Sequence, residues 1–597
     1  MTNPSLQIGN GNWAYKENNL LGYAISPFND KFSPREITFT RASDGTRVNK
    51  DGLIEKGREN LLLQSNQFDT TWSTASASVT SGQSGYDGSS DAWLLNTTGV
   101  GGYVFQSVVN SGVQTLSVYA KAGSYNFIRV QLDGPGADKR IDVNLVDGST
   151  GTAGAGNIIV STTSVGNGWW RIQLVSNTTS TRARFFAIVA DGDSSGSNGN
   201  IYIQDAQLEQ GLVATDYIET GATTAQAGIL EDLPRIDYSE GANSPALLLE
   251  PQRTNSIISS EHIDSWNKNE FSVDTNSATS PEGVVNASKI IPSTNNADHY
   301  VDRLGFSRTA DQYITHSVYV KPDGYNYFSL SNSANRLIAN FELIGEGSAR
   351  YVSSNGTDFT NHSASIEAVG NGWYRCILIG QALNSIASYM RISCGSSAYN
   401  SSSWNGVGDG TSGVLVYGAQ LELNSSYPTS YIPTYGSSVT RGADSCDGAG
   451  NSDVINSAEG VLFAEISALE DLGTARRYIS LSDGSSNNDV RLYYNNTIGD
   501  IVALSKVGGA TQFLMSDSGY DLTQTHKIAV KYKVNDFALW IDGVEVDTDS
   551  SGSVNAANTF NELAFNGNDL PFFGNVKQVA VFNEALSDSE LAALTTL

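Results

Sequence analysis

The strongest constraint in this sequence is an internal repeat with a period of about 200 residues. Four short motifs occur twice, in the same order. The pairs are residues 117–121 and 317–321, 125–127 and 325–327, 165–171 and 369–375, and 206–209 and 419–422. Solenoid repeats are much shorter than this period, so we expect a duplicated domain in which each copy folds as a unit.

Each copy consists of short alternating runs separated by clusters of Gly, Asn, Asp and Ser, a pattern that predicts β-strands. The chain has 59 glycines and 13 prolines and few amphipathic helical segments. Because strands with one buried face pack in pairs of sheets, the sequence predicts an all-β protein built from several β-sandwiches.

The length of the chain indicates the number of domains, and its charge limits the possible partners. At 597 residues the chain is long enough for about four domains. Its 35 basic and 62 acidic residues give a net charge of -27. Because phosphate binding requires clustered Lys and Arg, nucleic acid is not expected as a partner. The aromatic content of 10% is enough for folded cores.

No apolar stretch follows Met1, and no run approaches 18 apolar residues. We therefore expect neither a secretory signal nor a membrane span.

The three cysteines, Cys376, Cys394 and Cys446, lack the spacing of a zinc site and are too few for a disulfide framework. They are predicted to be small buried residues.

Alternation along two predicted strands identifies candidate binding residues. In residues 169–175 the pattern turns Trp169, Arg171 and Gln173 away from the core, and in residues 116–121 it turns Tyr119 and Lys121 outward. The second copy offers the equivalent residues Tyr319, Lys321, Trp373 and Arg375, with Ile377 at the position of Gln173.

Two interpretations of these residues are open. Flat aromatic faces beside polar side chains are what a carbohydrate site requires. Alternatively, each Trp-x-Arg pair is a cation–π brace that covers the sandwich. Repetition in both copies favours the brace, because shared residues more often serve the shared fold.

The same reading predicts five segments. They are an N-terminal attachment segment (1–60), a first sandwich (61–222), a connector (223–253), a second sandwich (254–445) and a different β domain (452–597). Asp51-Gly52 and Asp542-Gly543 are predicted hairpin turns. Ser587 and Glu590 form an S-x-x-E capping box for a short final helix.

Three sequence stretches resemble a motif set common in virion structural and fibre proteins of tailed bacteriophages. They are FTRAS at 39–43, KDGLI at 50–54 and LLEPQRTN at 248–255. The resemblance implies a virion location, adhesion to host surface glycans, other virion proteins as partners and a homotrimeric assembly.

Other stretches resemble carbohydrate-recognition folds. Asn60-Leu61-Leu62 with Phe68 and Trp72 is similar to the opening strand of carbohydrate-binding β-sandwich modules, and residues 409–422 strengthen this for the second copy. Residues 538–543 and 579–587 resemble the laminin G or concanavalin A-like lectin fold. These resemblances imply two jelly-roll, carbohydrate-binding-module-like domains followed by a concanavalin A-like sandwich.

Catalytic and metal motifs are weak. The sequence has no GxSxG, HExxH or GxxxxGK[ST] motif, and its five histidines are scattered, so we expect no enzymatic activity. Asp191-x-Asp193-x-Ser195-Gly196 begins like a calcium loop, but Tyr202 stands where a bidentate Glu is needed. An acidic solvated loop is therefore favoured, and no metal or cofactor is expected.

The sequence supports one main hypothesis and two alternatives. The main hypothesis is a non-enzymatic virion fibre protein or adhesin that binds host glycans. The first alternative is a purely architectural capsid or tail component without a sugar site. A polysaccharide depolymerase is the less favoured third, because paired catalytic carboxylates cannot be recognised from spacing alone.

Overall fold

A computed structural model of the chain describes residues 3–11, 13–16, 19–25, 32–136, 139–333, 336–471, 477–565 and 570–597. The chain forms two compact units. Unit 1 consists of Met1–Lys56, Ile229–Arg253 and Thr440–Leu597, and unit 2 consists of Gly57–Gly228 and Thr254–Val439. Antiparallel strands dominate both units, which confirms the predicted all-β fold class.

The first segment of unit 1 is made of short strands. They are β1 (Leu6–Gly9), β2 (Ala14–Lys16), β3 (Asn19–Ile25), β4 (Phe32–Thr40), β5 (Thr46–Val48) and β6 (Ile54–Lys56). The predicted turn at Asp51-Gly52 joins β5 to β6, and Gly52 has a φ of +75°. Glycine tolerates this left-handed conformation because it has no Cβ.

The first copy of the repeat forms sandwich 1 of unit 2. Its strands are β7 (Arg58–Asn60), β8 (Ser73–Ala75), β9 (Ala77–Gln83), β10 (Ala92–Thr97), β11 (Tyr103–Asn110), β12 (Val113–Ala122), β13 (Phe127–Asp133), β14 (Lys139–Asn144), β15 (Thr150–Ala153), β16 (Asn157–Gly166), β17 (Trp169–Asn177), β18 (Ser180–Ile188), β19 (Asn200–Gln210) and β20 (Ala225–Ala227). One sheet has the order β16-β17-β12-β19-β10-β9 and the other β15-β14-β13-β18-β11-β8. Alternate apolar residues from both sheets form the core.

The chain then returns to unit 1 through β21 (Ile236–Asp237) and β22 (Ala246–Leu249) before the second copy begins. Sandwich 2 contains β23 (Arg253–Asn255), a short 3-10 helix (Ile263–Ser265), β24 (Asn267–Asn269), β25 (Phe271–Thr279), β26 (Val285–Pro292), β27 (Ala297–Arg308), β28 (Tyr313–Asp323), β29 (Tyr327–Asn332), β30 (Leu337–Glu342), β31 (Ser348–Ser354), β32 (Phe359–Gly370), β33 (Trp373–Ala382), β34 (Ile386–Gly395), β35 (Trp404–Gly406), β36 (Gly413–Leu423) and β37 (Val439–Arg441).

The two sandwiches share one topology. The main sheets of sandwich 2 have the orders β32-β33-β28-β36-β26-β25 and β31-β30-β29-β34-β27-β24. Strand for strand, these match the two sheets of sandwich 1. The duplication predicted from the repeated motifs therefore extends to the complete strand order.

The last segment completes unit 1. Its elements are β38 (Ser445–Asp447), β39 (Glu459–Ala468), β40 (Arg477–Ser482), β41 (Asp489–Tyr494), β42 (Asp500–Val507), β43 (Ala510–Ser518), β44 (His526–Lys533), β45 (Phe537–Ile541), β46 (Val544–Asp549), β47 (Glu562–Ala564), β48 (Gly574–Phe582) and α1 (Asp588–Thr595). The backbone N–H of Ser587 donates to the Glu590 carboxylate at 3.0 Å, so the predicted capping box is present. Asp542 and Gly543 have φ values of +49° and +86°, as a two-residue hairpin turn requires.

The segment boundaries of unit 1 differ from the predicted division of the chain. The large sheet has the order β38-β4-β3-β1-β48-β39-β44-β45-β46, so the segment predicted as a separate attachment region (1–60) supplies strands to the C-terminal domain (452–597). Leu6 of β1 lies opposite Val581 of β48. The predicted connector (223–253) also contributes, because β22 pairs with β48. In chain order, both sandwiches are therefore insertions into unit 1.

Five charged side chains are buried where the three segments of unit 1 meet, and we call them the charge cluster. They are Arg41, Arg235, Glu250, Arg441 and Asp444. Asp444 accepts from Arg41 at 3.3 Å and from Arg235, while Glu250 accepts from Arg235 at 2.5 Å and lies 2.6 Å from Arg441. Burial and the neighbouring Arg235 lower the pKa of Arg41 to about 10.

One buried asparagine organises each sandwich. In sandwich 1, Asn60 donates to the carbonyls of Ala206 and Ile218 at 3.2 and 2.8 Å, and it accepts from the N–H groups of Leu62 and Leu208, both at 3.1 Å. In sandwich 2, an equivalent four-bond set surrounds Asn255 at 2.8–3.1 Å. Each amide is fully satisfied and ties the first strand to two later segments.

Candidate carbohydrate-binding surface

The residues predicted for sugar binding do lie together on the outer face of one sheet of sandwich 1. Strands β12 and β17 pair so that Tyr119 is opposite Arg171 and Lys121 is opposite Trp169. Their alternate neighbours Leu116, Val118, Ile172 and Leu174 are in the core. The predicted alternation of these two strands is therefore confirmed.

That face, however, is covered. The side chains of Trp169 and Tyr119 are only 1% and 8% exposed. The ring of Tyr86 stacks on Tyr119 with 3.8 Å between centroids. The Arg171 guanidinium lies 5.3 Å from the Tyr119 centroid and donates to the carbonyl of Thr215. No aromatic face of this pair is left for a pyranose ring to stack on.

A second repeated motif, residues 206–209, holds the segment that covers this face, residues 211–220. Glu209 accepts from the N–H and hydroxyl of Thr215, both at 2.7 Å, and Gln207 accepts from the N–H of Ile218 at 2.7 Å. Gln173 accepts from the N–H of Ala214 at 2.9 Å. Ala206-Gln207-Leu208-Glu209 thus holds residues 211–220 across the sheet.

Sandwich 2 repeats this arrangement. Arg375 lies 5.5 Å from the Tyr319 centroid and donates to the carbonyl of Thr429 at 2.5 Å, and Trp373 is 2% exposed. Lys121 and Lys321 are half-buried, and Ile377 is buried. The geometry favours the brace interpretation for Arg171, Gln173 and Arg375, because their polar groups hold the covering segments, and Trp169, Tyr119, Trp373 and Tyr319 are buried beside them.

A buried carboxyl group lies beside the covered face. Asp205 is 6% exposed, has a φ of +52° and accepts from the Tyr86 hydroxyl at 2.9 Å. Burial disfavours its ionised form, and Asp91 and Asp87 add repulsion, so its pKa rises to about 7. In sandwich 2 the corresponding β36 residue is Gly418, with a φ of +61°.

This carboxyl predicts a pH dependence for sandwich 1. Between about pH 4 and 7 the folded state keeps a proton on Asp205 that the unfolded chain has released. The contribution of Asp205 to stability should therefore fall as pH rises through this window, by about 1.4 kcal/mol per pH unit at most. Asp205→Asn should remove this contribution, which thermal unfolding of both proteins at pH 5 and pH 8 will measure. Identical pH dependence in both would contradict it.

The opposite sheet of sandwich 1 carries a second set of aromatic and basic residues. Five of them project outward from β11 and β18, and we call them the arginine–aromatic face: Tyr103, Phe105, Arg182, Arg184 and Phe186. Tyr103 lies opposite Phe186 and Phe105 lies opposite Arg184. Their alternate neighbours, Val104, Ala183, Phe185 and Ala187, belong to the core.

The rings and guanidinium groups of this face are in direct contact. The Tyr103 centroid is 4.5 Å from that of Phe186 and 5.7 Å from that of Phe105. Arg184 lies 5.2 Å from the centroids of both Tyr103 and Phe186, and Arg182 lies 5.6 Å from that of Phe105. These cation–π contacts fix a continuous aromatic and cationic surface.

A carboxylate on the neighbouring strand β13 holds the two arginines in place. Asp133 lies 3.0 Å from Arg182 and also pairs with Arg184. On the same strand, Arg129 makes a bidentate salt bridge with Asp142 of β14 at 2.6 and 2.8 Å. The Arg182 and Arg184 side chains are 42% and 16% exposed, so both retain contact with solvent.

Sandwich 2 keeps part of this chemistry at the equivalent strands, β27 and β34. Arg391 lies 3.5 Å from the Tyr300 centroid and 5.4 Å from that of Tyr389. It also makes a bidentate salt bridge with Asp302 at 2.6 and 2.9 Å. The second copy thus has one central arginine where the first has two.

These two faces were not predicted from the sequence, although their signal is present in it. In residues 182–187, Arg182, Arg184 and Phe186 alternate with apolar residues, just as an outward row on a strand requires. The predicted site residues occur in both copies of the repeat, whereas this row of residues differs between the two copies. Residues that repeat serve the common fold here, whereas the surface chemistry lies in residues that diverge.

The loop considered for calcium is engaged in local hydrogen bonds. Asp191 accepts from the N–H of Thr152 at 2.6 Å, and Asp193 accepts from that of Ser195 at 2.7 Å. Within the described ranges, no group of three or more His, Cys, Asp or Glu residues is placed to hold a metal ion.

In the same ranges, no helix is long and apolar enough to span a membrane. All three cysteines are free and buried.

Comparisons with known proteins gave a structural match and a family match. No curated protein matches the chain. Among solved structures, the CBM40 of the Ruminococcus gnavus IT-sialidase aligns with 24% of this chain and 84% of its own, at 17% identity and a TM-score of 0.21. Residues 466–592 match the family model of the concanavalin A-like lectin/glucanases superfamily. The predicted similarity of the C-terminal domain to that fold is therefore confirmed.

Proposed function

We propose that this protein is a non-enzymatic glycan-binding protein and that the arginine–aromatic face of sandwich 1 is a sugar-binding surface. The carrying observation is that Tyr103 and Phe105 are partly exposed and contact Arg184 and Arg182, while the neighbouring Phe186 ring is buried. Aromatic rings accept the apolar face of a pyranose, while guanidinium N–H groups bind its oxygen atoms. The lectin-type family match in unit 1 supports the same class of ligand.

The first test combines a glycan screen with one substitution. The intact protein should bind a subset of a glycan array, and Arg184→Ala should weaken binding to the best glycan about thirtyfold, corresponding to about 2 kcal/mol. Asp133 keeps its contact with Arg182 in this variant, so the sheet should stay folded. Isothermal titration calorimetry with the selected glycan provides the measurement.

Arg171→Ala is the matched control, because Arg171 also lies on a tyrosine ring but under a covering segment. It should lower the melting temperature of sandwich 1 and leave glycan affinity unchanged. Equal loss of affinity in both variants would contradict the assignment of the site. Retained affinity in Arg184→Ala would contradict it as well.

The proposal excludes catalysis because the sequence offers no recognisable nucleophile, acid–base or phosphate-binding motif. Incubating the protein with host capsule or lipopolysaccharide should release no oligosaccharides. Release would instead support the depolymerase hypothesis and would direct attention to paired carboxylates.

We further propose that the protein is a virion component of a tailed bacteriophage, made in the host cytoplasm and assembled with other virion proteins as a homotrimer. The support is the resemblance of residues 39–43, 50–54 and 248–255 to virion fibre proteins. Many weak sugar sites on a symmetric fibre would give avidity. Mass spectrometry of purified particles and the native mass of the protein test location and assembly.

A purely architectural role is the second candidate. The observation that favours it is that the motifs shared by both sandwiches hold covering segments. In this case the intact protein would bind no glycan, and the arginine–aromatic face would pack against a neighbouring virion protein.

A further inference from the structure

A cavity of about 300 Å³ lies in unit 1 and includes residues of the turn between β5 and β6. Its lining comes from three separate segments: Trp13, Arg47, Asn49, Lys50, Asp51, Ile236 and Tyr238. The volume is at the lower end of the range for small-molecule sites, so a ligand of about one or two sugar rings would fit. Two aromatic rings and several polar groups on one concave surface are typical of such sites.

The aromatic part of the lining is held firmly. Trp13 and Tyr238 are half-buried and pack against the core of unit 1. The Trp13 indole N–H donates to the carbonyl of Pro245 at 3.3 Å. Its ring lies so close to Gly9 that an added Cβ there would be 2.7 Å from the indole. The ring orientation is therefore fixed before a ligand arrives.

The polar part is rich in donors. Arg47 is paired with Glu55, which accepts from Nε at 2.9 Å and lies 2.8 Å from Nη2, while Nη1 donates to the carbonyl of Ile236 at 3.3 Å. The side-chain oxygen of Asn49 accepts from the N–H groups of Asp51 and Leu53, both at 3.0 Å, so its amide NH2 is the group left for a ligand.

Lys50 is exposed in the same turn and adds three further N–H donors. Asp51 is the one carboxylate of the lining. A cavity whose donors outnumber its acceptors in this way suits a ligand rich in oxygen acceptors.

We propose that this cavity binds a pyranose ring that carries a carboxylate, as in a uronic acid. The ring lies against Trp13, and the carboxylate accepts from Lys50 and from the amide NH2 of Asn49. This site is built from unit 1 alone, so the proposal does not depend on the arginine–aromatic face.

Saturation-transfer NMR and calorimetry on the full-length protein test the proposal. The probes are the methyl glycosides of glucuronic acid and galacturonic acid, with methyl glucoside as the neutral match. At least one uronide should bind five times or more tighter than methyl glucoside, and its affinity should decrease with added salt. Trp13→Ala should abolish this binding.

Lys50→Gln is the second variant, because an exposed side chain can change without affecting the fold. It should reduce uronide affinity about fivefold and leave the affinity for methyl glucoside unchanged. Arg184→Ala should leave uronide binding at this cavity intact, which separates this site from the one on sandwich 1. The proposal is overturned if neither uronide binds, if the neutral sugar binds equally well, or if Trp13→Ala retains full affinity.

Discussion

Replacing Asp444 by alanine should lower the free energy of unfolding of unit 1 by about 3–5 kcal/mol. Asp444 is fully buried and pairs with both Arg41 and Arg235. Its removal takes away one of the two carboxylates in the buried charge cluster and leaves its three guanidinium groups in place. Charges buried without partners cost far more than the net energy of a paired cluster.

Hydrogen exchange of peptides from β4, β22 and β38 gives the most direct measurement, because these strands adjoin the charge cluster. All three should lose protection together in Asp444→Ala. Asp453→Ala is the control in the same unit, since that side chain is exposed and should change stability by no more than about 0.5 kcal/mol. A variant with unchanged protection in all three strands would show that the cluster does not join the segments.

Alanine at Asn60 should destabilise sandwich 1 by about 3 kcal/mol or more, and alanine at Asn255 should do the same to sandwich 2. Each substitution removes four hydrogen bonds and leaves four backbone groups without their partner. An unsatisfied buried polar group costs about 1–3 kcal/mol. Small relaxations of the strands will recover part of that sum.

The two variants also test each other, because each should affect its own sandwich first. Thermal unfolding combined with hydrogen exchange will locate the damage. Asn405→Ala offers an exposed asparagine as the control, whose loss should be close to neutral. Equal destabilisation by all three substitutions would contradict the role assigned to the buried amides.

Much of the fold of unit 2 could be predicted because its information is local. Alternation turned Trp169, Arg171 and Gln173 outward and so left Ile172 and Leu174 for the core, where they lie. The repeat then showed that this pattern occurs twice. Such features depend on residues that are neighbours along the chain.

Which segments of the chain form unit 1 could not be predicted, because strand pairing across several hundred residues leaves no local pattern in the sequence. Leu6 and Val581 each fit a strand, but neither sequence pattern indicates that they are opposite one another. The covered sheet face was equally hidden, since Trp169 alternates outward whether or not another segment crosses it. Burial by a distant segment can only be seen in three dimensions.

The pairing of β1 with β48 also limits the order in which parts of the protein can fold during synthesis. Residues 6–9 form their sheet contacts with residues 578–581, so that sheet cannot close until the ribosome has synthesised nearly the whole chain. Each sandwich, by contrast, is continuous in sequence and can fold as soon as it emerges. During synthesis both sandwiches can therefore fold while Leu6 and Ile8 of β1 still lack their partners on β48, although β1 can already pair with β3. For this interval the β1 edge that will pair with β48 presents unpaired N–H and C=O groups, and such an edge is a template for pairing with other chains.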